Sequence, residues 1–120
     1  MARHLERIAK LLKILSARRR LRIVQLLKDR ALCVNALALR LGVTPGAVSQ
    51  HLRVMRDAGL VIDEKRGYFV HYRLNEKTLA MCRSALADLL APTRASRRCT
   101  KGAKPCAALV KRRAAESRKT

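Results

Sequence analysis

Four thiols and one short polar run are the residues whose types and spacing could do chemistry. Cys99 and Cys106 enclose Thr100-Lys101-Gly102-Ala103-Lys104-Pro105, where a Gly and Pro turn could curl both sulfurs onto one soft ion. Arg97, Arg98, Lys101 and Lys104 stand beside them and favour thiolate. An ion that takes three sulfurs would draw a further thiol from Cys33 or, less readily, Cys82, to complete the set. Spare surface thiols are the competing reading, and for Cys82, on an apolar helical stripe, a small core residue is the favoured one.

The polar run is Thr44-Pro45-Gly46-Ala47-Val48-Ser49-Gln50-His51-Leu52-Arg53. At helical period Val48, Leu52 and Met55 turn inward, leaving Gly46, Ser49, Gln50, Arg53 and Arg56 outward. A Gln amide can pair with adenine, and an Arg reaches guanine or a phosphate. Thr44 and Ser49 suit backbone phosphates, which position a protein without reading sequence. An ordinary polar helix face is the alternative, weakened by Lys65 and Arg66 nearby. His51 lies between stripe and surface, where a packed, hydrogen-bonded histidine is expected. No nucleophile with a base, phosphate loop or carboxylate pair is present, so an enzyme is not expected.

Bulk charge points the same way. The 120 residues carry 28 Lys and Arg against 8 Asp and Glu, a net charge of +20. Such a chain repels itself unless a polyanion or salt offsets the field. Residues 1–90 hold +11 of the excess and residues 91–120 hold +9. No apolar run approaches the roughly 20 residues of a membrane span and no export signal opens the chain, so a cytoplasmic protein with reduced cysteines and no membrane partner is expected.

The elements that must position these residues follow from periodicity. Leu5, Ile8, Leu11, Leu12 and Leu15 mark an amphipathic helix. Ser16 is a candidate cap for a second, with Leu21, Ile23, Val24 and Leu27 buried and Arg18, Arg19, Arg20, Arg22 and Lys28 forming a positive face, either solvated or on phosphate. A third helix over Asn35–Leu41 ends at Gly42, and a fourth opens at Thr44-Pro45 and ends at Gly59. Two helices joined by a short Gly-containing turn form a helix-turn-helix. Leu60-Val61-Ile62 and Phe69–Leu74 are strand-like, flanking a hairpin tip predicted over Asp63–Tyr68. The helical period returns from Glu76 through Leu79, Cys82, Leu86, Leu89 and Leu90 until Pro92. That apolar stripe calls for the same helix of a second subunit, with help from the first helix. The predicted fold is mainly α with a small β-hairpin, a winged helix-turn-helix of order α-α-α-α-β-β-α, homodimeric. Residues 1–91 form its DNA-binding and dimerisation domain, and 92–120 a flexible basic arm containing Cys99 and Cys106.

The stretch from Leu32 to Thr44, then Val48-Ser49-Gln50-His51-Leu52 and Ala58-Gly59-Leu60-Val61, resembles the ArsR/SmtB family of winged-helix repressors over roughly residues 8–90. The resemblance implies a homodimer that represses its own operon from a pseudo-palindromic double-stranded DNA operator and leaves it when a metal ion or metalloid binds. DNA binding itself would need no cofactor; arsenite, antimonite or another soft metal ion would be the inducer. The family's C-V-C box stands here as Cys33-Val34-Asn35, with one thiolate kept. Its other common site needs D-x-H near the start of the last helix, where this chain has Glu76-Lys77-Thr78, and no histidine follows His71; that zinc site is absent. A thiol-redox-sensing repressor on the same fold and a non-sensing basic nucleic-acid-binding protein remain alternatives.

Overall fold

In a computed structural model, which describes residues 2–93 with side chains from His4 onward, the elements run α1 (Ala2–Leu15), α2 (Arg18–Leu26), β1 (Leu32–Cys33), α3 (Val34–Leu41), α4 (Pro45–Asp57), β2 (Val61–Arg66), β3 (Phe69–Leu74) and α5 (Glu76–Leu89). The strands form one antiparallel sheet of order β1-β3-β2. The predicted winged helix-turn-helix is thus present, with one strand more than expected: β1 pairs Leu32 with Tyr72 and Cys33 with His71. A two-residue strand leaves no alternation to detect, and only the register of β3 reveals it. The arm, with Cys99 and Cys106, lies outside the described residues.

The core is aliphatic. Ile23, Leu37, Val48, Leu52, Met55 and Leu60 are fully buried, joined by Leu11, Leu27, Leu32, Val61, Leu74 and Cys82. At about 25 cal/mol per Å² of apolar surface removed from water, each large side chain contributes about 1.5–3 kcal/mol. Every helix of the helix-turn-helix is therefore held by its inner face rather than by propensity.

Two expectations about that core are corrected. Leu21 is exposed, and α2 buries Ile23 with Val24 partly covered, while Leu27 is buried just past the helix end; a nine-residue helix offers only a narrow stripe, and position 21 falls outside it. The α1 stripe also divides, with Ile8 and Leu11 inward and Leu5 and Leu12 exposed. Ser16 does not cap α2. Ala17 holds that position, and the Ser16 hydroxyl donates to the Lys13 carbonyl at the end of α1.

The α3–α4 turn is set by local chemistry. Gly42 ends α3 in the left-handed region (φ 68°), a conformation a Cβ disfavours, and its N–H donates to the Ala38 carbonyl at 2.9 Å. Thr44 then caps α4, its hydroxyl oxygen accepting the Ala47 N–H at 3.2 Å, with Pro45 just inside. At the far end the Leu60 N–H donates to the Met55 carbonyl and the Asn75 N–H to the Leu60 carbonyl, both at 2.9 Å. These bonds fix the root of the β2–β3 wing against α4.

The wing is longer and its tip tighter than Asp63–Tyr68. Asp63 to Arg66 are strand residues paired with Tyr72 to Phe69, leaving Gly67 and Tyr68 as the turn. Gly67 has φ 63° and no non-glycine residue among those described has positive φ, so the turn is type II′, with glycine at its first central position. Polar composition suggested a loop, but the ladder accepts charged residues on its solvent side. No helix among the described residues is long and apolar enough to cross a membrane.

Candidate nucleic-acid interface

Helix α4 presents two unlike sides. Val48, Leu52 and Met55 have no solvent exposure, while Gly46, Ser49, Gln50, Arg53 and Arg56 are exposed, as is Thr44 at the N-terminal end. The exposed side carries an amide and a guanidinium over its middle turns, the donor types that read base edges in a major groove. The Thr44 oxygen is engaged in the cap, so its hydroxyl proton is what remains for a phosphate. A side chain at position 46 would meet nothing within 4 Å, so glycine there leaves open space at the helix start.

Arg56 is less available than its neighbours. Its Nη1 lies 3.4 Å from Asp63 on β2, and its Nε 3.9 Å from Asp57. All three side chains are substantially exposed, so this pair adds little stability, but it draws the charge toward the wing root. Lys65 and Arg66 are exposed near the wing tip. Arg66 lies 3.4 Å from Glu64, which also accepts from Arg73 Nε. The Arg73 hydrogen bond is the main cause holding the Glu64 carboxyl below its ordinary range.

The arginine run of α2 is not one surface. Arg18, Arg19 and Arg22 are exposed with Lys28, but Arg20 turns inward. Its Nη1 donates to the Ile14 carbonyl of α1 at 3.1 Å, and its Nε donates to His51 Nδ1 at 3.2 Å. His51 is thereby the packed, hydrogen-bonded residue expected of it. Burial first, then the charges of Arg20 and Arg19, hold its pKa below 6.5, and the neutral imidazole is the form that accepts from Arg20. Sequence reading missed this bond because Arg20 is compositionally identical to Arg18, Arg19 and Arg22. The helical offset between positions 20 and 18 was the available signal.

The described thiols are separate in kind. Cys82 is buried in the core cluster, the hydrophobe's role. Cys33 is partly exposed, stands at the N-cap of α3 and opposes His71 across β1–β3. His71 in turn opposes Glu64 across β3–β2, so Cys33, His71 and Glu64 share one row. His71 Nδ1 is buried without a hydrogen-bond partner among the described residues. No group of three or more His, Cys, Asp or Glu able to hold a metal ion occurs among those residues. Of the four thiols singled out from the sequence, Cys33 alone is accessible within the described part, and Cys99 and Cys106 lie beyond it.

With this geometry established, similarity to known proteins is informative. Residues 18–63 match the profile of the family described as "Bacterial regulatory protein, arsR family". The arsenical resistance operon repressor of Escherichia coli is 44% identical over 66 residues, 54% of this chain and 56% of that protein. This chain thus spans little more than half the length of that curated relative. The structure of reduced HlyU from Vibrio cholerae is 34% identical and superposes with a TM-score of 0.62, covering 77% of this chain and 97% of that one. A homodimeric winged helix-turn-helix DNA-binding domain from Mycobacterium bovis is 28% identical, with a TM-score of 0.61 over 76% of this chain and 87% of that one.

Proposed function

Because this chain belongs to the arsR family of bacterial regulatory proteins, we propose that it is a homodimeric, cytoplasmic transcriptional repressor that binds a pseudo-palindromic operator through α4 and is released by a thiophilic metalloid, trivalent arsenic foremost. The observation that carries the DNA-binding part is the two-sided α4: Val48, Leu52 and Met55 wholly buried, Ser49, Gln50 and Arg53 exposed. Gln50 and Arg53 reach base edges; Thr44, Ser49, Lys65 and Arg66 hold phosphates; Gly46 lets the backbone approach closely. Arg56 contributes less, since Asp63 partly neutralises it.

Dimerisation is supported by apolar surface that one chain does not cover. Leu5 and Leu89 are 55% and 59% exposed and Leu90 is 75% exposed. Leu5 and Leu89 border a groove of about 570 Å³ between α1 and α5, with His4, Ile8, Ala85 and Asp88. A second copy laying its own α1 and α5 there removes this surface from water and sets two α4 helices about one DNA turn, roughly 34 Å, apart. The M. bovis relative is a homodimer with the same architecture.

Sensing rests on Cys33 with Cys99 and Cys106. Soft thiolate ligands select thiophilic ions, and Cys33 is partly exposed at the start of α3, beside the reading head. An ion joining the arm's thiols to Cys33 makes the induced and DNA-bound states compete, and coupling of about 1–3 kcal/mol, some 5- to 150-fold in affinity, releases the operator. Similarity to an arsenical resistance repressor favours this reading. Similarity to HlyU, of which one structure is described as reduced, favours the second, release by oxidation of the same thiols. One gel-shift series on DNA upstream of the chain's own coding region separates them, titrated with arsenite, antimonite, zinc, cadmium and peroxide. Release by arsenite supports the first, release by peroxide alone the second, and equal binding to random duplex refutes both in favour of a non-sensing basic protein.

A further inference from the structure

We infer that Arg20 and His51 are a positioning pair that fixes the roll of α4, so that two residues which meet no base decide how sharply an operator is told from random duplex. Val48, Leu52 and Met55 seat α4 on the core with no solvent exposure. Burial is a non-directional attraction, so it holds a helix against its neighbours without holding its rotation. A hydrogen bond is directional and weakens steeply as its angle closes. Among the described residues, the side-chain hydrogen bond that joins α4 to another helix is Arg20 Nε to His51 Nδ1, at 3.2 Å and part-buried.

The place of His51 on the helix connects that bond to recognition. At about 100° per residue, Arg53 stands about 160° and Gln50 about 100° around α4 from His51, so the tie grips the helix on the flank away from the side that reads bases. Side-chain tips lie about 5–6 Å from a helix axis, and a roll of about 10° carries them about 1 Å sideways. Such a shift spoils the paired hydrogen bonds of an amide on adenine or a guanidinium on guanine. Attraction between a cation and a phosphate changes only with distance and hardly feels it. The same guanidinium donates through Nη1 to the Ile14 carbonyl at 3.1 Å, in the last turn of α1, where helix carbonyls lack intrahelical partners. Helix α4 is thereby held in angle to α2 and to α1, which borders the α1–α5 groove.

The acceptor in this tie is the neutral imidazole. A protonated ring has only donors and faces Arg20 and Arg19, the two charges that act on it. The other elements packed on α4 bring it no counter-charge. Arg40, the charged residue of α3, is exposed; on β2, Asp63 is held by Arg56 and Glu64 by Arg73, with Lys65 and Arg66 exposed; on α4 itself, Asp57 lies beside Arg56. Protonation therefore frees the roll of α4, and operator preference declines once pH falls below 6.5. This role rests on the DNA-binding reading of α4 and adds to it a pair that acts through Gln50 and Arg53.

The test uses the full chain, a duplex that the wild type selects from a random pool and a random duplex of equal length, at a temperature where circular dichroism shows the variants folded. Arg20→Ala and His51→Ala are each expected to cut the ratio of the two affinities about tenfold, the worth of one base-pair contact, with random-duplex affinity held within about twofold. Should Arg20→Ala not fold, His51→Ala carries the same comparison. The double variant is expected to lose no more than either single one, as residues acting as a unit do. His51→Gln keeps an acceptor for Arg20 and restores the ratio at neutral pH; it is expected to hold that ratio as pH falls below 6.5, where the wild-type ratio declines. Taking the ratio cancels the phosphate attraction that each added proton brings to both duplexes. Alanine variants within about twofold of the wild-type ratio, equal losses on both duplexes, or a pH decline unchanged in His51→Gln overturn the pair. A slope of log affinity against log salt flatter by about one in Arg20→Ala also overturns it and assigns Arg20 to a phosphate. Wild-type chain that binds both duplexes alike removes the DNA-binding reading of α4 and the pair together, whereas a wild-type preference that both alanine variants keep removes the pair alone.

Discussion

Replacing Arg20 by alanine removes a side chain that ties three helices together. Its guanidinium donates to the Ile14 carbonyl at 3.1 Å and to His51 Nδ1 at 3.2 Å, both part-buried. Hydrogen bonds from a charged donor are worth about 1.5–3 kcal/mol each. Partial exposure discounts each to about 1 kcal/mol, the typical net value of a hydrogen bond, so we predict a total loss of about 2 kcal/mol. For a domain of this size each kcal/mol moves the melting midpoint about 4–8 °C, giving a fall of about 8–16 °C at neutral pH by circular dichroism. The same contact predicts a pH dependence. The folded-state pKa of His51 is held below 6.5 by burial and then by Arg20 and Arg19. As pH falls through 6.5 the unfolded chain takes up a proton that the folded chain resists, so stability declines on acidification until the lower folded pKa is passed. In Arg20→Ala the first cause remains and the second is gone, so the decline is shallower. His51→Gln offers Arg20 an amide oxygen and cannot titrate; it retains neutral-pH stability and loses this contribution to the acid slope. An Arg20→Ala midpoint within about 2 °C of wild type, or an unaltered slope in His51→Gln, refutes the reasoning.

Three further outcomes are expected. Gln50→Ala relaxes preference at one base pair by about 1–3 kcal/mol while leaving random-duplex affinity unchanged, measured by competition with single-substitution operators; uniform loss across all sequences would assign Gln50 to phosphate instead. Leu5→Asp with Leu89→Asp puts carboxylates into the α1–α5 groove and is expected to give a folded monomer in sedimentation, whereas an unchanged dimer would place the interface elsewhere. Cys99→Ser with Cys106→Ser is expected to keep operator affinity and lose arsenite release in a gel shift; an unchanged arsenite response would take both thiols out of the sensor.

Local chemistry by itself determined the reading head. Gly42, Thr44-Pro45 and the Val48, Leu52, Met55 spacing each act within a few residues, and the observed left-handed cap, hydroxyl cap and fully buried face follow from them. The wing and the last helix were legible for the same reason, a change of period from 3.6 to 2 and back. What the sequence did not determine is which face meets which. Arg20 and Arg18 look alike until α4 brings His51 against one of them. Leu5 and Leu12 belong to the same stripe as Ile8 and Leu11 until α5 covers only part of it. Strand β1 exists only because β3 passes beside Leu32 and Cys33, and that crossing sets Cys33 opposite His71. Periodicity is a property of one segment, but burial, pairing and charge contact are properties of two. The cap-to-cap geometry of α3 and α4 is therefore written locally, while the Arg20–His51 tie and the surroundings of Cys33 were decided by tertiary packing.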